Sequence, residues 1–143
     1  MAVRTYDPKS VIVTVGGVPM SGFSEGTFLE IDRAEATWNT VVGADGLVTR
    51  GKTNNFSGTM TLTLKQSSPS NDVLSGFMAV DEATNAGVVP VLIKDLSGNS
   101  LYFGAQAWIN QYANSTFGKD ISDRQWTLTL AEADMFVGSN SES

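Results

Sequence analysis

The chain has 143 residues, a formal net charge of −6 from 15 acidic and 9 basic residues, and neither cysteine nor histidine. This length predicts a single domain, residues 1–143, and the missing side chains exclude disulfides, thiolate chemistry and histidine-based proton transfer or metal binding. An acidic surface repels nucleic acid, because tight binding to phosphates needs clustered Lys and Arg.

Neither end of the chain predicts a targeting or membrane segment. No run approaches the ~18 apolar residues of a membrane span, and the start, MAVRTYDPKS, lacks the apolar region of a secretion signal. We therefore expect a protein that does not insert into a membrane and that is made and kept in the cytoplasm or assembled from it. The Ser- and Gly-rich end, residues 138–143, is expected to be a flexible, solvated tail.

The first elements in chain order are predicted strands joined by tight turns. Residues 10–15 are β-branched, and the Gly-Gly pair that follows suits a hairpin turn. Residues 18–23 form the return arm, where Pro19 favours an edge position. Residues 27–35 are predicted as a third strand of mixed polarity.

Residues 39–55 differ from the rest because they contain little core pattern. They include three glycines around two apolar pairs, Val41-Val42 and Leu47-Val48, and the sequence GADG is typical of a hairpin tip. So long a stretch without core residues is usually functional or mobile in a compact domain. We expect an extended loop or hairpin here.

Two strands carry a row of threonines opposite a row of apolar residues. In residues 57–65, Thr59, Thr61 and Thr63 alternate with Met, Leu and Leu, and Lys65 follows the threonines. Residues 125–130 repeat the pattern with Thr127 and Thr129. Such alternation predicts strands with one buried face and one polar face.

A single helix follows the first threonine strand. Ser68 or Ser70 is a candidate helix cap, and Pro69 suits the first helical position if Ser68 is the cap. Val73, Phe77 and Val80 recur at helical spacing, which predicts one apolar face. The sequence Asn-Ala-Gly at residues 85–87 is expected to end the helix.

The remaining predicted strands are residues 88–95, 101–112 and 125–137. The inventory of about seven strands and one helix predicts a mainly β fold, an antiparallel β-sandwich or barrel with a flanking α-helix. Residues 101–112 are apolar or neutral on both faces, and the last strand changes its apolar parity after Leu130. Either a bulge redirects that strand or its second half meets another environment, such as a neighbouring subunit.

Candidate catalytic and metal residues are few. The carboxylate pairs Asp81/Glu82 and Glu132/Asp134 are better explained by a helix end and a strand face than by acid–base catalysis. No Ser-x-x-Lys motif is present. The loops at residues 43–46 and 95–99 lack the regular oxygen ligands of a calcium site. We therefore expect a protein that is not an enzyme and has no catalytic, cofactor-binding or metal site.

The tryptophans leave a binding function as an alternative. Trp38, Trp108 and Trp126 are the residue type that carbohydrate-binding β-sandwiches use to stack on sugars. Because Trp108 and Trp126 lie within strand patterns, packing in a core or an interface is the favoured interpretation.

The order of several segments resembles the tail tube proteins of contractile-tailed (myovirus-type) bacteriophages. These segments are VGADGLVTR (residues 42–50), SGTMTLTLKQSSPSND (residues 57–72), Trp108-Ile109, Phe117-Gly118 and DRQW (residues 123–126). The resemblance covers about residues 10–138, and the ordered set is more specific than any single piece. A tube protein of a related contractile injection machine, a tailocin or type VI-like system, stays an alternative.

The resemblance implies a structural virion protein of the phage tail. It implies hexameric rings whose sheets join into one barrel and whose stacking forms the conduit for DNA ejection. The implied partners are other copies of the chain, the tail sheath protein, the tape-measure protein, the baseplate and tail terminator proteins, and DNA that passes through without specific binding. The expected contacts between subunits or rings are Val41, Val42, Asp45, Leu47, Val48 and Arg50.

We further expect the threonines to line the bore of the tube. A bore through which DNA slides should be wetted and poor in Lys and Arg, because each phosphate that is neutralised adds affinity. A threonine face meets this need while keeping strand propensity. The residues expected to face the lumen are Thr59, Thr61, Thr63, Thr127 and Thr129.

Overall fold

The computed structural model describes residues 3–140 as a mainly β structure with one α-helix. The strands are β1 (Val11–Val15), β2 (Val18–Pro19), β3 (Leu29–Arg33), β4 (Trp38–Val42), β5 (Val48–Lys52), β6 (Gly58–Lys65), β7 (Val89–Asp95), β8 (Leu101–Gln111), β9 (Asp123–Leu130) and β10 (Asp134–Phe136). The helix α1 spans Ser70–Thr84, and a 3-10 turn, Pro8–Ser10, precedes β1. The predicted fold class is confirmed.

One antiparallel sheet contains all strands except β4 and β5. Its order is β2-β1-β7-β8-β9-β6-β3, with β10 beside the start of β8. The sheet curls around a single core, and Val11 of β1 and Leu29 of β3 line one cleft between its two edges. The buried apolar residues are Val13, Val15, Met20, Met60, Leu62, Leu64, Leu74, Val91, Ile93, Ala107, Ile109, Trp126, Leu128, Leu130 and Ala133.

The change of parity in the last strand has a local cause. β9 ends at Leu130, and β10 resumes at Asp134 on the same side of β8. Between them, the Ala131 amide donates to the Gln106 carbonyl and the Ala133 amide donates to the Phe56 carbonyl. This kink allows Leu130 and Ala133 both to face the core, although their parity differs.

β8 changes parity as well, which its sequence pattern does not reveal. Val89 and Val91 of β7 pair with Ala107 and Gly104, so that β8 contains one extra residue. The core-facing positions are therefore Gly104 before this bulge and Ala107 after it. The sequence pattern, apolar or neutral on both faces of residues 101–112, does not predict this reversal, which a bulge produces.

Three further features differ from the prediction. The return arm at residues 18–23 is a strand only over Val18–Pro19. On α1, Val80 is exposed, whereas Leu74 is fully buried. Residues 138–140 are not a free tail, because Ser100 Oγ bonds both the amide and the carbonyl of Gly138, and Asn140 forms an isolated bridge with Gly98. Residues 141–143 lie outside the described residues.

Candidate self-assembly surfaces

The threonines form one continuous polar surface on the side of the sheet opposite the core. In the β6–β9 ladder, Thr59 lies opposite Thr129 and Thr61 lies opposite Thr127. All five threonines are half-buried, and the alternate residues of both strands are buried in the core. We call Thr59, Thr61, Thr63, Thr127 and Thr129 the threonine face.

The strands beside the threonine face add acidic and neutral groups to it. On β3, Glu30 pairs with Thr61 and Asp32 pairs with Thr59. On β8, Trp108 pairs with Thr129, whose hydroxyl donates to Asn110 Oδ1 over 2.8 Å. The paired neighbours therefore extend the hydroxyl row without adding a basic group.

Lys65 is the basic residue of β6 and lies at the strand's end. It is exposed and lies opposite Asp123, the first residue of β9. An acidic residue thus accompanies the cation, and the rows of paired threonines are free of basic side chains.

Residues 38–52 form a two-stranded hairpin separate from the main sheet. β4 and β5 pair from Trp38↔Lys52 to Val42↔Val48. At the tip, the Gly43 amide donates to the Leu47 carbonyl, and Gly46 adopts a φ of 86°. Every residue of both strands is exposed, including Val41 at 67%, and Leu47 at the tip is 65% exposed.

The structure places the six predicted contact residues on this hairpin with distinct local roles. Val41, Val42, Leu47 and Val48 expose their side chains. Asp45 Oδ1 accepts the Leu47 amide over 3.1 Å and shapes the tip. The Arg50 guanidinium lies 3.8 Å from the centre of the Trp38 ring, a cation–π contact that covers part of the indole.

The base of the hairpin is attached to the kink between β9 and β10. Arg33 Nε and Nη2 donate to the Ala133 carbonyl over 3.2 and 2.8 Å. The Phe56 ring lies 5.1 Å from the Arg33 guanidinium and 5.5 Å from the Lys52 ammonium. Thr53 donates its amide to the Thr37 carbonyl and closes the hairpin. The sequence pattern gave no indication of this role for Arg33.

The two candidate cap serines act differently. Ser68 Oγ accepts the Ser70 amide over 3.2 Å, while Pro69, with helical backbone angles, stands between them at the assigned N-cap position. Ser70 is not a cap, because its hydroxyl accepts the Ser21 amide instead. Both serines are buried and connect the helix start to residue 21.

A second exposed apolar feature lies in the connection between β8 and β9. Phe117 is 79% and Ile121 is 74% exposed. The buried Arg124 side chain holds this connection in place, because it donates to Ser122 Oγ over 2.8 Å and its guanidinium lies 5.3 Å from the Phe117 ring centre. The sequence pattern predicts residues 114–123 only as a connection between two strands. Two large apolar residues in a polar loop were the signal that could have revealed it.

In the described part of the chain, the candidate catalytic and metal-binding residues are not brought together in one site. Within residues 3–140, no group of three or more acidic residues is arranged to hold a metal ion. Asp81 accepts the Gly87 amide at the helix end, and Glu132 and Asp134 flank the buried Ala133.

Desolvation, and then the Glu82 carboxylate, raise the pKa of the Tyr112 phenol above its usual 10.0. In the same part of the chain, no helix is long and apolar enough to span a membrane.

The tryptophans do not form a platform for sugar stacking. Trp126 is buried and donates its indole N–H to Asn71 Oδ1 over 3.0 Å. Trp108 is half-buried on the threonine face, and Trp38 lies on the hairpin under Arg50. The structure places these three side chains on different surfaces, so it does not favour the carbohydrate-binding alternative.

The chain forms a curled antiparallel sheet with a flanking helix and a projecting hairpin. Three solved structures share this fold. They are the sheath/tube terminator of the extracellular contractile injection system PVC (TM-score 0.67, 15% identity, 94% of this chain and 99% of that chain), its sheath-tube complex (0.66, 14%, 92% and 91%) and the cap of the anti-feeding prophage (0.65, 12%, 95% and 94%).

The family is shown by sequence. The family described as the bacteriophage PhiTE tail tube protein matches residues 5–138. The structural protein ORF10 of Pseudomonas phage KPP10 is 34% identical to this chain, over 95% of this chain and 83% of its own length. The chain belongs to the phage tail tube protein family, and the predicted resemblance is confirmed. It is a structural protein of a phage tail.

Proposed function

We propose that this chain is the major subunit of the inner tail tube and assembles into stacked hexameric rings that conduct DNA during ejection. The observation that carries the proposal is the β4–β5 hairpin. It exposes Val41, Val42, Leu47 and Val48 without a core of its own. Because contiguous exposed apolar surface is rare in monomeric proteins, these side chains are expected to be covered in an assembly.

The free edges of the main sheet support ring formation. β3 pairs with β6 on one side, and β2 contributes only two paired residues at the other end of the sheet. Unpaired strand edges are a template for another chain, and closing them around a ring removes them. The number of six subunits per ring is taken from the family resemblance. The open strand edges are the surfaces through which neighbouring subunits would pair.

The threonine face is proposed to line the bore. Its hydroxyls bind water, and its paired neighbours Glu30 and Asp32 are acidic. Such a surface disfavours contact with phosphates, which suits DNA that passes through without being held. The buried alternate residues of β6 and β9 hold this face rigidly to the core.

The proposed partners are those of a tube that lies inside a contractile tail. They are other copies of this chain, the tail sheath protein, the tape-measure protein and the baseplate and tail terminator proteins, with assembly in the host cytoplasm. Support comes from the fold shared with a sheath-tube complex and a sheath/tube terminator.

A tube terminator is the second candidate function. The fold matches the PVC terminator and the anti-feeding prophage cap about as well as it matches the sheath-tube complex. A terminator occurs once at a tube end, whereas a major subunit repeats along the tube. A tailocin or type VI-like machine would use the same repeating subunit. It is distinguished by whether a phage genome passes through the tube.

Electron microscopy of the purified chain tests the proposal. We expect hexameric rings and hollow tubes of indefinite length. Single rings that never stack would favour the terminator, and a monomer at high concentration would overturn both functions. As a matched variant, residues 38–52 are replaced by Asn-Gly, because the bonded neighbours Thr37 and Thr53 allow such a short turn. This variant should stay folded and form no tubes.

A further inference from the structure

We propose that a pocket beside the buried Arg124 side chain binds a carboxylate group. The pocket is lined by the first half of α1, the start of the connection between β8 and β9, and the start of β9, and its volume is about 280 Å³. We call it the Arg124 pocket. Its polar and aromatic lining residues include Gln66, Ser75, Tyr112, Ser115, Arg124 and Trp126. This inference goes beyond the proposed function and does not depend on it.

Arg124 is a buried cation with no negatively charged partner among the described residues. It is 7% exposed, because the even-numbered residues of β9 face the core. Its side chain donates to Ser122 Oγ over 2.8 Å and contacts the Phe117 ring, and it forms no other hydrogen bond or ion pair within residues 3–140. Burying a charge is costly unless an opposite charge pairs with it. A negatively charged ligand would therefore be stabilised here.

The unused donors of Arg124 are available in the pocket. A guanidinium has five N–H donors, and Ser122 accepts from Nη1 alone. Among the described residues, no buried side-chain nitrogen or oxygen lacks a hydrogen-bond partner. The Nε and Nη2 groups therefore reach the surface. Because Arg124 lines the pocket, their N–H groups can bond a ligand there.

Gln66 adds a neutral donor to the same pocket. Its Oε1 accepts the amide and the hydroxyl of Ser122 over 3.2 and 3.3 Å, which fixes the carboxamide and leaves Nε2 without a partner in the described part of the chain. Asn71 differs, because its Oδ1 accepts the Trp126 indole N–H and its Nδ2 donates to backbone carbonyls. The pocket thus presents one charged and one neutral donor group in fixed positions.

A carboxylate suits these donors better than a more highly charged anion. Among the described residues that line the pocket, Arg124 is the one charged group. A single negative charge therefore neutralises the site, whereas a doubly charged phosphate would leave an excess in the field of Glu82, which acts on the neighbouring Tyr112. The planar guanidinium also matches the two oxygens of a carboxylate.

Placing a carboxylate in the pocket by substitution tests the proposal. Ser75 is half-buried and lines the pocket, so Ser75→Asp adds the group there, and Ser75→Asn has nearly the same shape without the charge. In urea denaturation, we expect the unfolding equilibrium constant of Ser75→Asp to be about fivefold or more below that of Ser75→Asn, because a charge-assisted bond to Arg124 forms only with Asp. The difference should disappear when Arg124→Gln is added.

The matched control compares Gly76→Asp with Gly76→Asn. Gly76 is the next residue of α1, is exposed and has open space around it, so this pair repeats the charge change outside the pocket. Equal stabilities of the two Ser75 variants, or an equal Asp–Asn difference at Gly76, would overturn the proposal. If Arg124→Gln folds poorly, the Ser75 and Gly76 pairs decide the proposal without it.

A free small carboxylate and an acidic side chain of a second copy offer the same group, and the Ser75 variants distinguish these sources. If a second copy fills the pocket, Ser75→Asp should raise the critical concentration of assembly above that of Ser75→Asn. If a small carboxylate fills it, the two variants should assemble alike, and acetate should stabilise the native chain against urea more than chloride does at equal ionic strength. With neither effect, the pocket would have no ligand and the proposal would be overturned.

Failure of this site and failure of the proposed function are separable. Unfolding is measured at protein concentrations below those of assembly, so equal Ser75 variants would overturn the site and leave the tube function standing. Failure of the native chain to form rings or tubes would overturn the tube function and leave the site to the urea and acetate measurements.

Discussion

The Arg33 guanidinium donates two hydrogen bonds to the Ala133 carbonyl, over 2.8 and 3.2 Å, and so joins the base of the hairpin to the kink between β9 and β10. Ala133 is fully buried. A buried carbonyl that loses a charged donor is costly, and this pair is separated by 100 residues of sequence.

Replacing Arg33 by alanine should lower the free energy of unfolding by about 1.5–3 kcal/mol, because hydrogen bonds to charged groups contribute that much. Hydrogen exchange in Trp38–Val42 and Val48–Lys52 should accelerate, since the hairpin loses its attachment. The control is Arg50→Ala, which removes an exposed cation–π contact and should cost about 0.5–1 kcal/mol. Equal effects of the two substitutions in urea unfolding would contradict the anchoring role of Arg33.

Gly104 should not tolerate a larger residue. A Cβ at this buried position would lie 2.5 Å from Leu130 Cδ2, so that β8 and β9 would have to move apart. We expect Gly104→Ala to lower stability by about 1–3 kcal/mol through overpacking. Gly76→Ala is the control, because Gly76 lies in α1 with open space around it and should gain about 0.5–1 kcal/mol. Urea denaturation measures both, and a neutral Gly104→Ala would show that the bulge adapts.

A lysine on the threonine face should make assembled tubes retain DNA. Thr61→Lys adds one positive charge per subunit in the proposed bore, and the nearby Glu30 offsets only part of its field. Retention should weaken steeply with salt, as counterion release requires. Thr84→Lys at the exposed end of α1 is the control and should retain less DNA. If both variants, or neither, retained DNA in tubes, the threonine face would not line the bore.

The pKa of the Tyr112 phenol should lie above the usual value for tyrosine. Its pKa is raised by desolvation and by the Glu82 carboxylate, so the neutral phenol is favoured in the folded state. The associated stability is therefore fully present below pH 10, the usual value, and is lost as the pH rises through the folded pKa.

Phenolate absorbance of the native chain and of Tyr112→Phe assigns the Tyr112 titration among the three tyrosines. Glu82→Gln should lower its midpoint, because the carboxylate no longer opposes the phenolate charge. An unchanged midpoint would leave desolvation as the sole cause.

The sequence by itself determined the elements whose signals are local. Alternation of threonine with Met and Leu predicted β6 and β9 and the polarity of their faces, because a strand's side chains have a period of two. The glycines and the sequence GADG predicted a hairpin tip where Gly46 adopts its positive φ. The order of these segments was enough to predict the family, which the relatives confirm.

Only the tertiary structure decided the features that depend on distant partners. The bulge in β8 lies beside Gly104, which packs closely against Leu130 of β9, and the pattern of one strand contains no information about its contact with the other. The anchoring role of Arg33 and the order of the Phe117 loop likewise depend on Ala133 and on Gln66, which are remote in sequence. Periodicity reports which face of an element is apolar, whereas packing decides which partner that face meets and where a strand must break its period.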